Sequence, residues 1–415
     1  MPEVSFSGLV LVSAVAFVAP LALGLAPRLR LPAVVLEIVA GIIIGPSGFG
    51  WVEPDVVIQI LSILGLAFLL FLAGLEVELS RFKGRFLKVS AVGLMASFGL
   101  GLAIAYALSS VGVIESPLFV AIILLATSIG LVVPVLKDAG EAGSSFGQLT
   151  IAGSSMSDFG AVILLSLFFS REATGTGVKL LLLGGFVLLV AAVGFTVARA
   201  GHSMRLSENL LRLQDTTAAI RVRGAILLLL GIVALAEVFG LEVILGAFIA
   251  GTILKLVDRD AMMTHPHFHL KLDSIGFGFL IPVFFVTSGL TFDLDSLFGG
   301  TTLLRVPVFL AALLIVRGLP AFLYRQSIGG RRTLAAALLQ ATSLPFIVAA
   351  SQIGMELGAI SRTTGAGLVA AGLLSVLIFP LAALTVLRGA APASDSAGLD
   401  EGPENEFTRV KSRRG

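Results

Sequence analysis

Apolar runs long enough to cross a lipid bilayer recur along almost the whole chain of 415 residues. About 20 consecutive apolar residues are needed for one helical crossing. Charged residues make up only 13% of the chain, whereas soluble domains carry about 25%. Backbone groups that face lipid must be satisfied within their own segment, so such runs fold as α-helices. The sequence therefore predicts an all-α protein that crosses the membrane many times.

The apolar runs divide into thirteen spans. Two neighbouring runs are separated only by Gly240-Leu241, and we keep them apart because a merged helix would be far too long for one bilayer. The predicted spans are 5–25, 33–49, 57–77, 88–110, 117–136, 149–169, 178–198, 223–239, 242–256, 274–291, 304–324, 334–354 and 364–387.

Basic residues fall mostly on one side of this topology. If the N-terminus lies outside, 23 of the 28 Lys and Arg residues are in inner loops or in the C-terminal segment, and four are in outer loops. Cytoplasmic loops are enriched in Lys and Arg. The charge pattern therefore predicts an outer N-terminus and a cytoplasmic C-terminus.

The last residues differ in composition from the rest. From 389 to 415 the chain is rich in Pro, Ser, Gly and charge, which predicts a disordered cytoplasmic tail after a membrane domain at 1–388. The chain has no cysteine, which excludes disulfides and thiol catalysis. The sequence contains no nucleophile elbow, phosphate-binding loop or metal-ligand motif. We therefore expect no enzyme activity, no cofactor and no nucleic-acid partner.

Two short motifs recur at one offset. Ala-Thr-Ser occurs at 126–128 and 341–343, and Gly-Leu at 74–75 and 289–290, so both pairs are 215 residues apart. Each pair is seven spans apart, an odd number, so the two halves have opposite orientations. Inverted repeats place the binding site at mid-membrane, between two helices that are broken where they cross. Small-residue packing would explain one motif, but two pairs at one offset favour helix breaks at both Ala-Thr-Ser segments.

Two ionisable residues lie inside predicted spans. Asp158 is in the middle of the run 151–169, and Arg317 is inside the run 306–323. Such residues are costly in a membrane and usually face a water-filled path, an ion or a proton route. Asp158 is therefore the candidate site for a cation or a proton. Arg317 could neutralise Asp158 or compensate the negative ends of broken helices; a purely structural ion pair between the two is the alternative.

Oxygen-bearing side chains near these residues are candidate ligands, because hard cations prefer oxygen. Ser154 lies four residues before Asp158 and so on the same helix face. Gln340 is as suitable for packing as for ligation. The predicted ion- or proton-binding residues are Asp158, Ser157, Ser154, Thr127 and Ser128, with Gln340, Thr342 and Ser343 in the second broken helix. His265, His267 and His269 could bind a metal or sense pH, or form a solvated turn; their role stays open.

Four segments resemble the monovalent cation:proton antiporter-2 family. They are AGIIIGPSG at 40–48, FLAGLE at 71–76, LGAFIAG at 245–251 and PVFFVTSGL at 282–290. The resemblance covers about 1–388. The family includes glutathione-gated potassium efflux systems and bacterial sodium/proton antiporters.

The resemblance implies a sodium/proton antiporter-like fold, in which an ion-carrying core moves against a scaffold that also forms a homodimer. Asp158 takes the position of the aspartate that binds the cation or proton, and Arg317 that of a basic residue at the crossing. The implied activity is exchange of Na⁺ or K⁺ for protons by alternating access in a bacterial inner membrane, with a regulatory subunit among the conceivable partners. The core would comprise 88–169 and 304–387, the scaffold 5–77 and 223–291, and the link 178–198.

One residue departs from the family pattern. Ser157 stands where familiar members have Asp, Asn or Gln before the aspartate. Members with two adjacent acids are typically electrogenic, so the single acid implies electroneutral exchange, and the choice between Na⁺ and K⁺ stays open. Two other functions also stay open: a cation channel or the pore of a gated potassium efflux system, and an organic-anion symporter on a similar fold.

Overall fold

A computed structural model describes residues 6–25, 32–76, 84–169, 219–257, 266–299 and 302–388, together with residues 184, 185, 188 and 192. Within these residues, nine helices are long and apolar enough to cross a membrane, and two shorter apolar helices accompany them. The prediction of an all-α membrane protein is confirmed.

The described residues form seventeen α-helices. In chain order they are α1 (Phe6–Leu25), α2 (Ala33–Ile44), α3 (Val56–Glu76), α4 (Gly84–Ser110), α5 (Pro117–Leu125), α6 (Ile129–Asp138), α7 (Ser145–Phe168), α8 (Ile220–Val238), α9 (Val243–Val257), α10 (Pro266–Ile275), α11 (Ile281–Leu290), α12 (Leu294–Phe298), α13 (Thr302–Leu313), α14 (Arg325–Ile328), α15 (Gly330–Gln340), α16 (Pro345–Glu356) and α17 (Arg362–Arg388).

Twelve of the thirteen predicted spans coincide with these helices. The short break at Gly240-Leu241 does separate α8 from α9. The predicted span 178–198, His265 and the tail 389–415 lie outside the described residues, apart from four positions of that span. The full number of spans and the inverted repeat therefore stay predictions, as does the division into core and scaffold.

The second predicted span, 33–49, is too long at its end, because α2 stops at Ile44. A residue that precedes proline is disfavoured in the helical region, and Gly45 before Pro46 is extended. The next residues form a tight turn, in which the Phe49 amide donates to the Ile43 carbonyl at 2.7 Å.

Two spans are interrupted at the Ala-Thr-Ser segments. Residues 126–128 separate α5 from α6, and residues 341–344 separate α15 from α16. Pro345 begins α16, where its missing N–H is no loss. The prediction of two helix breaks is confirmed.

Two continuous helices contain a wider turn. A π-helical segment at Gly276–Leu280 joins α10 to α11, and another at Leu314–Gly318 follows α13. The second leads through a 3₁₀ segment, Leu319–Tyr324, into α14. π-Helical turns often occur at functional sites, and this one contains Arg317.

The helices pack in two neighbourhoods. In the first, α3 packs against α9 and α11, and α11 also packs against α2. In the second, α4 packs against α5 and α7, while α17 packs against α13, α15 and α16. Asp158 and the other predicted ion- or proton-binding residues belong to the second neighbourhood.

Helices α2 and α11 approach each other closely at two glycines. A Cβ added to Gly41 would overlap the Val286 carbonyl oxygen and lie 3.0 Å from the Gly289 Cα; one added to Gly289 would overlap the Ile38 carbonyl oxygen. Only the absence of both side chains allows this contact. In membranes, such small residues let helix backbones pack directly.

We expect Gly41→Ala to lower the free energy of unfolding by about 2–3 kcal/mol, because the new methyl group must push two backbones apart. Gly99→Ala in α4 is the matched control, since a Cβ there meets no neighbour within 4 Å. Thermal denaturation in detergent would compare the variants. Equal melting temperatures for the two variants would contradict the close contact.

Glu115, in the loop between α4 and α5, holds the start of α17. Its carboxylate accepts hydrogen bonds from the Thr364 hydroxyl at 2.9 Å and the Ser361 amide at 3.4 Å. Burial acts to raise the pKa of Glu115, but the hydrogen bonds from Ser361 and Thr364 outweigh it and hold the pKa below its usual value. The ionised carboxylate is therefore the form that the fold favours.

This lowered pKa predicts a pH-dependent contribution to stability. The contribution is fully present above the unfolded pKa, about 4.3, and is lost as the pH falls through the lower folded value. Because Glu115 is exposed, we expect Glu115→Gln to cost only a few tenths of a kcal/mol at pH 7. Melting temperatures at pH 7 and pH 3 would measure it. A difference from wild type that grows on acidification would disprove this role.

Candidate functional site

The two helix breaks meet and satisfy each other's backbone groups. The Ser128 amide donates to the Thr342 carbonyl at 2.9 Å. The Thr127 hydroxyl donates to the Gln340 carbonyl at 2.8 Å. An unsatisfied backbone group inside a membrane costs several kcal/mol. The two breaks thus pair with each other, and neither has these partners unless both are in place.

Asp158 faces the first of these breaks. Its Oδ1 accepts a hydrogen bond from the Thr127 amide at 2.7 Å, and its Oδ2 one from the Ile129 amide at 3.4 Å. These amides lie at the start of α6, where free N–H groups and the helix dipole favour an anion. Asp158 is only partly buried, whereas Thr127 and Ser157 beside it are buried. The carboxylate is held by backbone donors and is still accessible.

Arg317 lies beneath the crossing and is 1% exposed. Its Nε donates to the Thr127 hydroxyl at 2.9 Å, Nη1 to the Ser97 hydroxyl at 2.9 Å, and Nη2 to the Gly153 carbonyl at 3.4 Å. Within the described residues, no salt bridge joins Arg317 to Asp158. Thr127 connects them instead, through its amide on one side and its hydroxyl on the other.

The remaining predicted residues of the first break and of α7 take different positions. Ser128 contributes its amide to the crossing, and its side chain makes no cap hydrogen bond. Ser154 is fully buried, and its hydroxyl has no partner among the described residues. Ser154 is therefore a free oxygen one helical turn from Asp158.

The second break brings further oxygens to the crossing. Gln340 uses its carbonyl for Thr127 and its side-chain amide for the Tyr324 hydroxyl, at 3.3 Å. The Thr342 hydroxyl donates to the Leu338 carbonyl at 3.2 Å. The buried Ser343 hydroxyl has no partner in the described part of the chain. Hydrogen bonds thus join Asp158, Arg317 and the two breaks at one crossing. Ser154 and Ser343 carry hydroxyls without a partner in the described residues.

Sequence reasoning missed four residues of this site. Ser97 and the Gly153 carbonyl bind Arg317, Tyr324 binds Gln340, and the Ser375 hydroxyl donates to the Ser343 carbonyl at 3.0 Å. A Cβ on Gly153 would lie 2.5 Å from the Tyr324 hydroxyl. Tyr324 is one of only two tyrosines in the chain, and that rarity is the one signal that sequence offered.

A charged group outside the crossing also acts on Asp158. Glu76, at the end of α3, interacts electrostatically with Asp158, Lys137 and Asp273. The Phe159 ring also contacts the Phe248 ring of α9, with the ring centroids 5.6 Å apart and the planes tilted by 37°. Asp158 therefore lies where the helices of the second neighbourhood face those of the first.

The arrangement combines one accessible carboxylate, backbone N–H donors, and unused hydroxyls. A carboxylate with several neutral oxygens nearby is a suitable ligand set for a hard cation. The same carboxylate can instead hold a proton. The site can therefore bind either, but not both at once.

Comparison with known proteins identifies the class of protein that this chain is similar to. A family model described as "Sodium/hydrogen exchanger, transmembrane" matches residues 13–388. The chain is 32% identical over 397 residues to the "Putative Na(+)/H(+) antiporter YjbQ" of Bacillus subtilis; the match covers 92% of this chain and 63% of that relative. The chain thus spans less than two thirds of that relative's length. It is also 26% identical over 378 residues to the "Probable Na(+)/H(+) antiporter 3" of Methanocaldococcus jannaschii, covering 89% and 94% of the two chains.

A solved structure shares the fold. The sodium proton antiporter MjNhaP1 from Methanocaldococcus jannaschii, solved at pH 8, matches with a TM-score of 0.60 and 18% identity, over 92% of this chain and 98% of that one. The resemblance to monovalent cation:proton antiporters is confirmed, while the link to glutathione-gated efflux systems stays a prediction. Since the family model covers most of the chain, this integral membrane protein belongs to the sodium/hydrogen exchanger family.

Proposed function

We propose that this protein exchanges a monovalent cation for protons across a membrane, with Asp158 as the shared binding group. The observation that carries this proposal is an accessible carboxylate at the meeting point of two broken helices, held by the Thr127 amide at 2.7 Å. The relatives are transporters named for Na⁺ and H⁺, which favours sodium as the first cation to test. Transport, and no chemical conversion, is the activity proposed.

Competition for one carboxylate explains how exchange is coupled. A cation that reaches Asp158 displaces its proton, and a proton displaces the cation. Ser154, Ser157, Ser343 and backbone carbonyls of the breaks would supply the remaining oxygens. Because Ser157 replaces a second acid, one positive charge moves in each direction, and the proposed exchange is electroneutral.

Arg317 has a supporting role in this proposal. It stays charged at any physiological pH, and its donors reach the Thr127 hydroxyl and the Gly153 carbonyl. Its positive charge would compensate the partial negative charge of the carbonyl groups at the helix ends that meet at the crossing. It would also hold Thr127 in place, and the Thr127 amide in turn holds Asp158. Direct neutralisation of Asp158 is less favoured, because the contact between the two runs through Thr127.

Alternating access would come from movement of the second neighbourhood of helices against the first. Three charged residues lie near helix ends on the side that the charge pattern places inside: Glu76, Lys137 and Asp273. Of these, Glu76 interacts electrostatically with Asp158. On the outer side, Gln352 of α16 hydrogen-bonds Ser288 of α11 at 3.1 Å. Glu76 therefore acts on Asp158 from the inner side, and a side-chain hydrogen bond links the two groups of helices on the outer side.

The cellular setting is part of the proposal. The charge pattern favours an outer N-terminus and a cytoplasmic C-terminus, in a bacterial inner membrane. A homodimer through the first neighbourhood of helices and a separate regulatory subunit are proposed on family resemblance alone.

Purified protein in liposomes with a lumenal pH dye tests the function. Adding sodium, potassium or lithium chloride outside should move protons, and the active cation names the substrate. Electroneutral exchange should be insensitive to a membrane potential imposed with valinomycin. Currents that are not coupled to pH would favour a channel, and proton movement driven only by an organic anion would favour a symporter.

A further inference from the structure

Glu37 is an acidic residue inside α2 that the proposed exchange does not use. It is 4% exposed. Acidic residues are almost never fully buried unless they are paired, and those inside a membrane usually mark a functional position. Asp158 belongs to α7, in the second neighbourhood of helices, whereas α2 packs in the first. Glu37 is therefore a titratable group separate from the transport site.

Glu37 lies on the face of α2 that packs against α11. Glu37, Gly41 and Gly45 are spaced by four residues, which places them on one face of the helix. A Cβ on Gly41 would overlap the Val286 carbonyl oxygen, and one on Gly45 would lie 2.9 Å from the Leu290 Cα. Because both helices advance by four residues between these contacts, they run in the same direction. Glu37 thus lies one helical turn beyond the close contact, toward the side that the charge pattern places inside.

The helices around Glu37 carry no group that could compensate its charge. Helices α1 and α11 pack against α2, and neither contains an acidic, basic, histidine or tyrosine residue. Glu37 is also the only ionisable residue of α2 itself. Within the described residues, its carboxylate has no hydrogen bond and no ion pair. An ionised carboxylate in such surroundings is strongly unfavourable, whereas the protonated group is neutral and costs much less.

We propose that Glu37 is a second proton-binding group, separate from Asp158, and that it keeps its proton at neutral pH. The bound proton removes a charge that the surrounding helices do not compensate. Loss of this proton would place an unpaired charge at the contact between α2 and α11, so the packing of these two helices weakens as the pH rises. Proton binding at Glu37 does not depend on cation exchange at Asp158.

Infrared spectroscopy of the purified protein in lipid at pH 7 tests the proposal directly, because a protonated carboxyl absorbs at a higher frequency than a carboxylate. The spectrum of wild type minus that of Glu37→Gln should contain the C=O band of a protonated carboxyl, and this band should shift in D₂O. Glu115→Gln is the matched control, because Glu115 is an exposed glutamate whose ionised form the fold favours. Its difference spectrum should contain only carboxylate bands.

Equilibrium unfolding in mixed detergent micelles at pH 5, 6 and 7 gives a second measurement. A glutamate in the unfolded chain has a pKa of about 4.3 and is ionised over this range, while folded Glu37 keeps its proton. Unfolding of wild type therefore releases a proton that Glu37→Gln does not have. The folding equilibrium constant of wild type, divided by that of Glu37→Gln, should fall about tenfold per pH unit. Titrating groups that the two proteins share cancel in this ratio.

Three results would overturn the proposal. The first is a difference spectrum of Glu37→Gln that contains only carboxylate bands. The second is a ratio of folding constants that does not fall as the pH rises. The third is a Glu37→Gln protein that fails to fold, since the amide is the closest neutral mimic of a protonated carboxyl. None of them involves cation-driven proton movement in liposomes, so each is distinct from a failure of the proposed function.

Discussion

Replacing Asp158 by asparagine will abolish cation-driven proton movement while leaving the protein folded. Asparagine has nearly the same shape, but it has no charge for a cation and no proton to exchange. It retains one oxygen that can accept the Thr127 amide, now at 2.7 Å from the carboxylate. The loss of a charged ligand is worth about 3 kcal/mol, so we expect transport to fall at least about 100-fold. The lumenal pH dye in liposomes measures it.

Asp295→Asn is the matched control, because Asp295 is an exposed aspartate of α12 outside the cap of that helix. It should transport like wild type. Both variants should elute as a single peak in gel filtration. Their free energies of unfolding should lie within about 0.5 kcal/mol of the wild-type value. Exchange retained by Asp158→Asn would remove this residue from the transport site and leave the fold assignment intact.

Replacing Arg317 by alanine will destabilise the protein more than any change to an exposed arginine. The guanidinium is 1% exposed and is hydrogen-bonded to Ser97, Thr127 and the Gly153 carbonyl. Its removal leaves these acceptors short of a donor and opens a cavity. Together these effects cost about 3 kcal/mol or more in the free energy of unfolding. Transport should also fall, because Thr127 is no longer fixed against Asp158.

Two further variants test whether the loss of stability is specific to the buried guanidinium of Arg317. Arg317→Lys keeps the charge, but an ammonium group cannot satisfy the three dispersed acceptors as a planar fork does, so its stability should be intermediate. Arg325→Ala changes an exposed arginine of α14 and should stay within about 0.5 kcal/mol of wild type. Thermal melting in detergent compares all three. If Arg317→Ala has the same melting temperature as Arg325→Ala, the hydrogen bonds of Arg317 contribute nothing to stability.

The helix breaks could be predicted because their signal is local and repeated. Ala-Thr-Ser at 126–128 and 341–343 carries both the small residues and the hydroxyls that a broken helix needs, and the shared offset singles out the pair. Asp158 was also identifiable, since an acid inside an apolar run is unusual. Charge and hydropathy are properties of single segments, so both can be identified from the sequence without knowledge of the fold.

The partners of Arg317 could not be predicted, because they depend on how separate helices cross. Ser97 is 220 residues away in the chain and the Gly153 carbonyl 164. The π-helical turn at Leu314–Gly318 adds to this, since an additional residue in a turn changes which face of the helix each later side chain occupies. Hydrophobic periodicity assumes a regular helix. The apolar run 306–323 therefore places Arg317 in the membrane but does not identify its acceptors.

The crossing of the two breaks has a consequence for the order in which the protein is made. The Ser128 amide is paired with the Thr342 carbonyl, and the Thr127 hydroxyl with the Gln340 carbonyl, across more than 210 residues. Ribosomes deliver the first segment many seconds before the second. Until the second arrives, the first break has no partner in lipid, so its native shape cannot be the stable one. The transport site is therefore a late product of biogenesis, completed only when both halves of the chain are in the bilayer.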